Sequence, residues 1–191
     1  EENTIEIRKK VKKNEKINIY NCCCFINIKL CHCWRKKEMN AEDNLKKNNI
    51  NLPKAPDPVG AYVATKKAGN FLFISGQISM NENGELIKGK LGKDLDVDKG
   101  YKAAERCALS LVAQAKKACN DDLNKIKSCI KVTGFVNSID QFTDQPKVIN
   151  GASDTISKIF GESGIHTRAA VSVNSLPLGV AVEVDAIFEL N

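Results

Sequence analysis

Histidine and the large aromatic residues are scarce: 191 residues hold two His, three Tyr and one Trp. Neither histidine lies beside a plausible Cys or Ser nucleophile in sequence. There is no HExxH zinc helix and no GxSxG nucleophile elbow. The twelve glycines never gather into GxGxxG or GxxxxGK[ST], which excludes the usual dinucleotide and nucleotide-phosphate cradles. So few Tyr and Trp leave no aromatic-lined strand face for stacking RNA bases. Long apolar runs are also missing. The stretch from Ile17 to Trp34 is interrupted by Asn18, Asn21, Asn27, Lys29 and His32, which argues against a membrane span. A secretory signal would need a cleaner apolar stretch and small residues at a cleavage site.

An excess of either charge is missing from most of the chain as well. The formal net charge is +6, but residues 1–38 hold ten Lys/Arg and five Glu, leaving nineteen basic and eighteen acidic residues over 39–191. The larger part is therefore nearly neutral, where phosphate binding would call for a basic face. The leading segment is expected to be a disordered or non-native, basic, cysteine-containing extension over 1–40, with the folded domain over 41–191. Met39 would make a sensible start. A transit peptide would suit the basic charge, but five Glu and little Ser argue against organellar import. "CCCFINIKLCHC" tempts toward zinc, yet its cysteines are not paired into two knuckles at spacings of two to four. Cys107, Cys119 and Cys129 read as small apolar fillers of a reduced protein, hence an expectation of a cytoplasmic location without membrane attachment.

From residue 41 the pattern sharpens. "AEDNLKKNNI" is a short polar helix candidate and "LPKAPDPVGAY" an extended, proline-punctuated approach. "YVATKKAG" and "NFLFISGQIS" read as a hairpin through a Gly-Asn turn. A helix is predicted over 97–119, because Ala104, Cys107, Ala108, Leu111, Val112 and Ala115 recur at three- and four-residue steps; Asp96 and Asp98 cap and charge its start. "IKSCIKVTGFVNSI" alternates like a strand. A second helix, 146–160, carries the stripe Ile149, Ala152, Ile156, Ile159 and Phe160 and stops at "GESG". "RAAVSVNSL" and "GVAVEVDAIFEL" close the chain as strands joined by "PLG". The order β-β-α-β-α-β-β predicts an α+β sandwich, two helices on one face of a mostly antiparallel sheet. Apolar residues on both faces of the strands suggest association between subunits.

Two charged residues stand inside apolar strands. Arg168 shares a face with Ala170 and Ser172, and Glu183 faces opposite to Val182 and Val184. A hairpin through "PLG" would set these strands side by side and bring Arg168 and Glu183 to one pocket. Two readings follow: a structural Arg–Glu ion pair, or a guanidinium left to hold a substrate carboxylate in a fork. In "ISGQ", Ser75 offers a hydroxyl at a strand end and Gly76 a close backbone approach; the alternative is a plain strand terminus. Tyr62 supplies a hydroxyl, a ring wall or only packing. His166 either titrates near neutrality or positions the strand entry.

"APDPVGAYV", "GNFLFISGQI", "VTGFVNSIDQF", "HTRAAVSV" and "LPLGVAVEVDAIFE" together resemble the RidA/YjgF family, also labelled L-PSP endoribonuclease, over about residues 50–191. The wording "GKLG", "NGASD" and "FGESG" before "HTRAAV" is similar to a branch other than the best-known deaminase branch. The resemblance implies a chorismate-mutase-like fold, a homotrimer with a ligand cleft between subunits, and hydrolytic deamination of 2-imino or enamine acids to 2-oxo acids and ammonia, without metal or organic cofactor. By resemblance Arg168 binds the substrate carboxylate, the Ala170 backbone N–H assists where the deaminase branch often has Cys, and Glu183 holds a water. Tyr62, Ser75, Gly76 and Asn150 match the remaining pocket positions. Alternatives from other classes are an endoribonuclease, following the family's older label, and a non-enzymatic trimer that binds a small carboxylate.

Overall fold

The computed structural model describes residues 40–58 and 60–191; the expectations for the leading segment and its cysteines therefore fall outside the described residues. Each helix begins where the sequence supplies an acceptor for its free N–H groups. Helix α1 (Ala41–Lys47) is capped by Asn40, whose side chain accepts from the Asp43 N–H at 2.8 Å. Helix α2 (Val97–Ala118) is capped by Asp96, which accepts from the Lys99 N–H at 2.8 Å. Such a cap is worth about 1 kcal/mol. Helix α3 (Gln145–Phe160) has proline in its first turn, where the missing N–H costs nothing, and ends at Gly161 with φ 61°.

The strands are β1 (Thr65–Ala68), β2 (Phe71–Ile78), β3 (Ile126–Asn137), β4 (Thr167–Val173) and β5 (Val182–Leu190), and they form one sheet in the order β1-β2-β5-β3-β4. Three neighbouring pairs are antiparallel; β3 and β4 are parallel. The parallel pair follows from α3, because a strand that returns through a helix arrives running the same way. The expected β4–β5 hairpin is thus corrected. "PLG" forms a 3₁₀ turn at Pro177–Gly179, and β5 enters between β2 and β3. Residues 174–181 are long enough to cross the end of β3, a step of roughly 10 Å, given the spacing of paired strands.

One face of the sheet is covered by helices. Val132, Val136, Val182, Val184, Ala186 and Phe188 meet Ala104, Leu111, Val148, Ile149, Ile156 and Ile159 in a single core. The two long helices lie on it as expected, and the short helix α1 joins them at the end of α3, where the Asn44 side chain donates to the Ile159 carbonyl at 2.9 Å. Where α2 crosses α3, Gly151 lies directly on the Tyr101 carbonyl, with no room for a Cβ. Cys107, Cys119 and Cys129 are free and buried, and burial pushes all three thiols up, so they pack as small apolar groups. The other sheet face is open in the single chain. Phe71, Phe73 and Val171 remain 39%, 43% and 44% exposed on it. Among the described residues no helix is long and apolar enough to cross a membrane.

Candidate active site in two halves

Val132 pairs with Arg168 across the β3–β4 ladder, so both side chains leave the same face. Val132 is fully buried under the helices, and Arg168 therefore points to the helix side at the sheet edge. There its Nη1 donates to Asn150 Oδ1 at 2.8 Å and to Ser153 Oγ at 3.0 Å. Asn150 and Ser153 are three residues apart on α3, hence on one side of it. The two N–H bonds of Nη1 are both used. Nε and Nη2 carry the remaining three, and no acceptor among the described residues meets them. Nor does any carboxylate among the described residues lie within ion-pair distance of Arg168. The ion-pair alternative is therefore overturned within the chain. The guanidinium presents the Nε–Nη2 edge, whose parallel N–H vectors match two carboxylate oxygens. Ala170 lies two residues on along the same face, half-buried against the core.

Glu183 belongs to the opposite face. Its partner across β3–β5 is Phe135, one step out of phase with the buried Val136–Val182 pair. The carboxylate lies over Gly76, where any Cβ would overlap Oε1. A bulge between Ile74 and Gln77 in β2 places that glycine. Burial pushes the Glu183 carboxyl above the ordinary range, and the neighbouring Asp185 carboxylate adds to the rise. Ser75 ties this end of β2 to the approach segment: its hydroxyl donates to the Val63 carbonyl at 2.8 Å and its N–H to the Ala64 carbonyl at 3.0 Å. Tyr62 sits on that segment with its ring half exposed.

The candidate residues thus separate into two groups. Arg168, Ala170 and Asn150 stand on the helix face by β4; Gly76 and Glu183 meet on the open face between β2 and β5, with Ser75 beside them and Tyr62 on the segment that leads into β1. Within one chain they do not share a pocket, and the expected meeting of Arg168 and Glu183 through a hairpin is corrected. Ser153 had not been singled out from the sequence, although its i, i+3 relation to Asn150 put it on the same helix face. His166 occupies the entry to β4, as one of its two readings had it, and reaches Ser153 Oγ with Nε2 at 3.0 Å. Among the described residues no cluster of His, Cys, Asp and Glu is arranged to hold a metal ion. A groove of about 820 Å³ between α1, the following segment and α2 contains none of the candidate residues.

The family model described as "YjgF/chorismate_mutase-like, putative endoribonuclease" matches residues 42–190. The chain belongs to this YjgF/chorismate mutase-like family. Protein TCP17 of Trypanosoma cruzi is 46% identical over 149 residues, which is 78% of this chain and 92% of that protein. A crystal structure of a protein of unknown function from Agrobacterium tumefaciens superposes with a TM-score of 0.73 at 44% identity, covering 79% of this chain and 92% of the other. A 2-iminobutanoate/2-iminopropanoate deaminase of Dermatophagoides farinae is 29% identical over 142 residues, or 74% of this chain and 94% of that one. The YjgF fold accounts for the five-stranded mixed sheet with helices on one face; what the two half-sites do has to come from their chemistry.

Proposed function

We propose that the protein hydrolyses 2-imino acids, or their enamine tautomers, to 2-oxo acids and ammonia, at a site completed between protomers of a homotrimer. The observation that carries this reading is the Arg168 guanidinium, anchored through Nη1 to two neutral acceptors while its Nε–Nη2 edge meets no acceptor among the described residues. A fork held in that way suits a planar carboxylate. The deaminase name of the mite relative supports the same substrate class. The two half-sites on opposite sheet faces support a site that needs two chains, and the exposed Phe71 and Phe73 supply an apolar surface for their association.

In this mechanism the substrate carboxylate rests on the Arg168 fork and on the Ala170 N–H. Glu183 of the adjoining protomer orients a water toward the imine carbon. The water oxygen bonds to carbon, the C=N π pair moves to nitrogen, and a water proton passes to Glu183, giving a carbinolamine. Glu183 returns that proton to the nitrogen. The C–N bond then breaks as the hydroxyl proton goes back to the carboxylate, ammonia leaves, and a 2-oxo acid remains. A carboxylate of raised pKa takes the water proton more readily than an ordinary one, and its conjugate acid is still acidic enough to hand that proton on to the nitrogen. The protonated imine is already electrophilic, so the protein has mainly to position and to move protons.

The direct test couples the protein to a pyridoxal-dependent threonine or serine dehydratase and follows 2-oxo acid and ammonia. The protein should speed both. Arg168→Ala should lower kcat/KM by about a hundredfold or more, as expected for loss of a charged, bidentate contact of about 3 kcal/mol, with the fold intact by circular dichroism. Equal rates with and without the protein, across a panel of amino acids, would overturn the reading.

A further inference from the structure

His166 Nδ1 lies 2.6 Å from the Gly164 carbonyl oxygen. A carbonyl oxygen only accepts, so Nδ1 carries a proton and donates it there. In the neutral ring Nε2 is then an acceptor, and the group facing it, at 3.0 Å, is the Ser153 hydroxyl. The Ser153 proton is thereby committed to His166, which turns the lone pairs of Oγ toward the Arg168 Nη1–H, also at 3.0 Å. The hydrogen bonds run one way: Arg168 to Ser153, Ser153 to His166, His166 to the backbone at Gly164. Without His166 the serine hydroxyl would rotate freely and could offer its own proton toward the guanidinium, where it repels. Gly164 itself is locked, since it packs on the backbone of Ile156 and Ser157 with no space for a side chain. The chain therefore ends on a fixed point of the fold.

We infer that Ser153 and His166 are positioning residues which, through this directed chain, hold the Arg168 guanidinium with its Nε–Nη2 edge turned outward to the carboxylate. Asn150 fixes one Nη1 proton and the Ser153–His166 pair fixes the other, so rotation about the Nε–Cζ bond, which would exchange Nη1 with Nη2, is blocked. The role in catalysis rests on the deaminase reading; the role in orienting Arg168 does not.

Two measurements on the full chain keep these apart. The first is nitrogen-15 NMR of the Arg168 guanidinium and the His166 ring without substrate. The wild type should show distinct Nη1 and Nη2 signals for Arg168 and an unprotonated Nε2 for His166. Ser153→Ala and His166→Ala should merge the two guanidinium signals, whereas Ser153→Thr, which keeps the hydroxyl, and His166→Gln, which keeps an acceptor near the Nε2 position, should retain the separation. The second is the dehydratase-coupled assay. Ser153→Ala and His166→Ala should raise KM about tenfold, the worth of one hydrogen bond to a charged group, and change kcat less than threefold, with melting temperature unchanged; the Thr and Gln variants should restore KM. Guanidinium signals already merged in the wild type, or unaltered in both alanine variants, would overturn the inference. So would alanine variants that lose stability while KM stays put. Absence of turnover in the wild type, with the NMR differences as described, would instead sink the deaminase reading and leave the orienting chain standing.

Discussion

Glu183 owes its character to two neighbours. Gly76 gives the carboxylate a seat against the β2 backbone that no other residue would leave open, and Asp185, two positions along β5, adds a like charge on the same face. Both effects disfavour the ionised form, the first by desolvation and the second by repulsion. The folded pKa therefore lies above the unfolded one. Between the two values the native state binds the extra proton, so the ionised carboxylate weighs against the fold, and its contribution to stability falls as pH rises through the folded pKa. In the proposed deamination activity has the opposite sign, because there the ionised form activates the water. Asp185→Asn removes the repulsion, and the acid limb of kcat/KM should move to lower pH, measured by the coupled assay from pH 4 to 8. A limb unmoved or moved upward would mean that another group controls it. At this scale the sequence was legible in residue type and not in pairing. A lone arginine and a lone glutamate in apolar strands pointed to chemistry, but only the register shows that Arg168 finds Asn150 and Ser153 instead of Glu183. Ser153 escaped notice because serine on a helix carries no periodic signal of its own.

The elements themselves were readable from their periods. The stripe from Ala104 to Ala115 and that from Ile149 to Ile159 became the buried faces of α2 and α3 with boundaries shifted by about a residue. Strand alternation likewise marked β3 and β5. What failed was the connection. Two strands separated by a short glycine- and proline-bearing segment look like a hairpin when read locally, yet β3 is the longest strand, buries side chains along its whole length and offers backbone groups on both edges, so β4 takes one edge and β5 the other. Sequence spacing sets what a loop can reach, and partner choice is decided by burial of the whole sheet. The consequence lies in α3, which crosses between β3 and β4 and presents Asn150 and Ser153 to Arg168. Its spacing from α2 is set where Gly151 touches the Tyr101 carbonyl. Backbone cannot yield there as a flexible side chain would. Gly151→Ala should cost about 2–3 kcal/mol by overpacking, read as a lower urea midpoint at unchanged slope. Because α3 would move with it, KM for the imino acid should rise as well. A variant as stable as the wild type would show that the helices have slack at this crossing.

For the whole molecule the decisive feature is that the two half-sites lie on opposite faces of one sheet, two strands apart in its order. A single chain cannot fold them together, whereas a ring of chains can, if the open face of each meets the β4 edge of the next. In a cyclic trimer every contact is then of the same heterologous kind, and each of three sites takes Arg168 from one protomer and Glu183 from its neighbour. That arrangement makes a quantitative forecast. Arg168→Ala and Glu183→Gln should each be inactive alone, the latter losing about a hundredfold or more as a general base. Unfolded together in equal amounts and refolded, three quarters of the trimers would be mixed, and each mixed trimer would hold one site built from two intact residues. The refolded mixture should regain about 25% of wild-type activity per site, rising from the background of either parent. Separate refolding followed by mixing should regain none until subunits exchange. A co-refolded mixture that stays at the background, while light scattering reports trimers, would mean that Arg168 and Glu183 never serve one site, and the two halves described here would have to be assigned to different tasks.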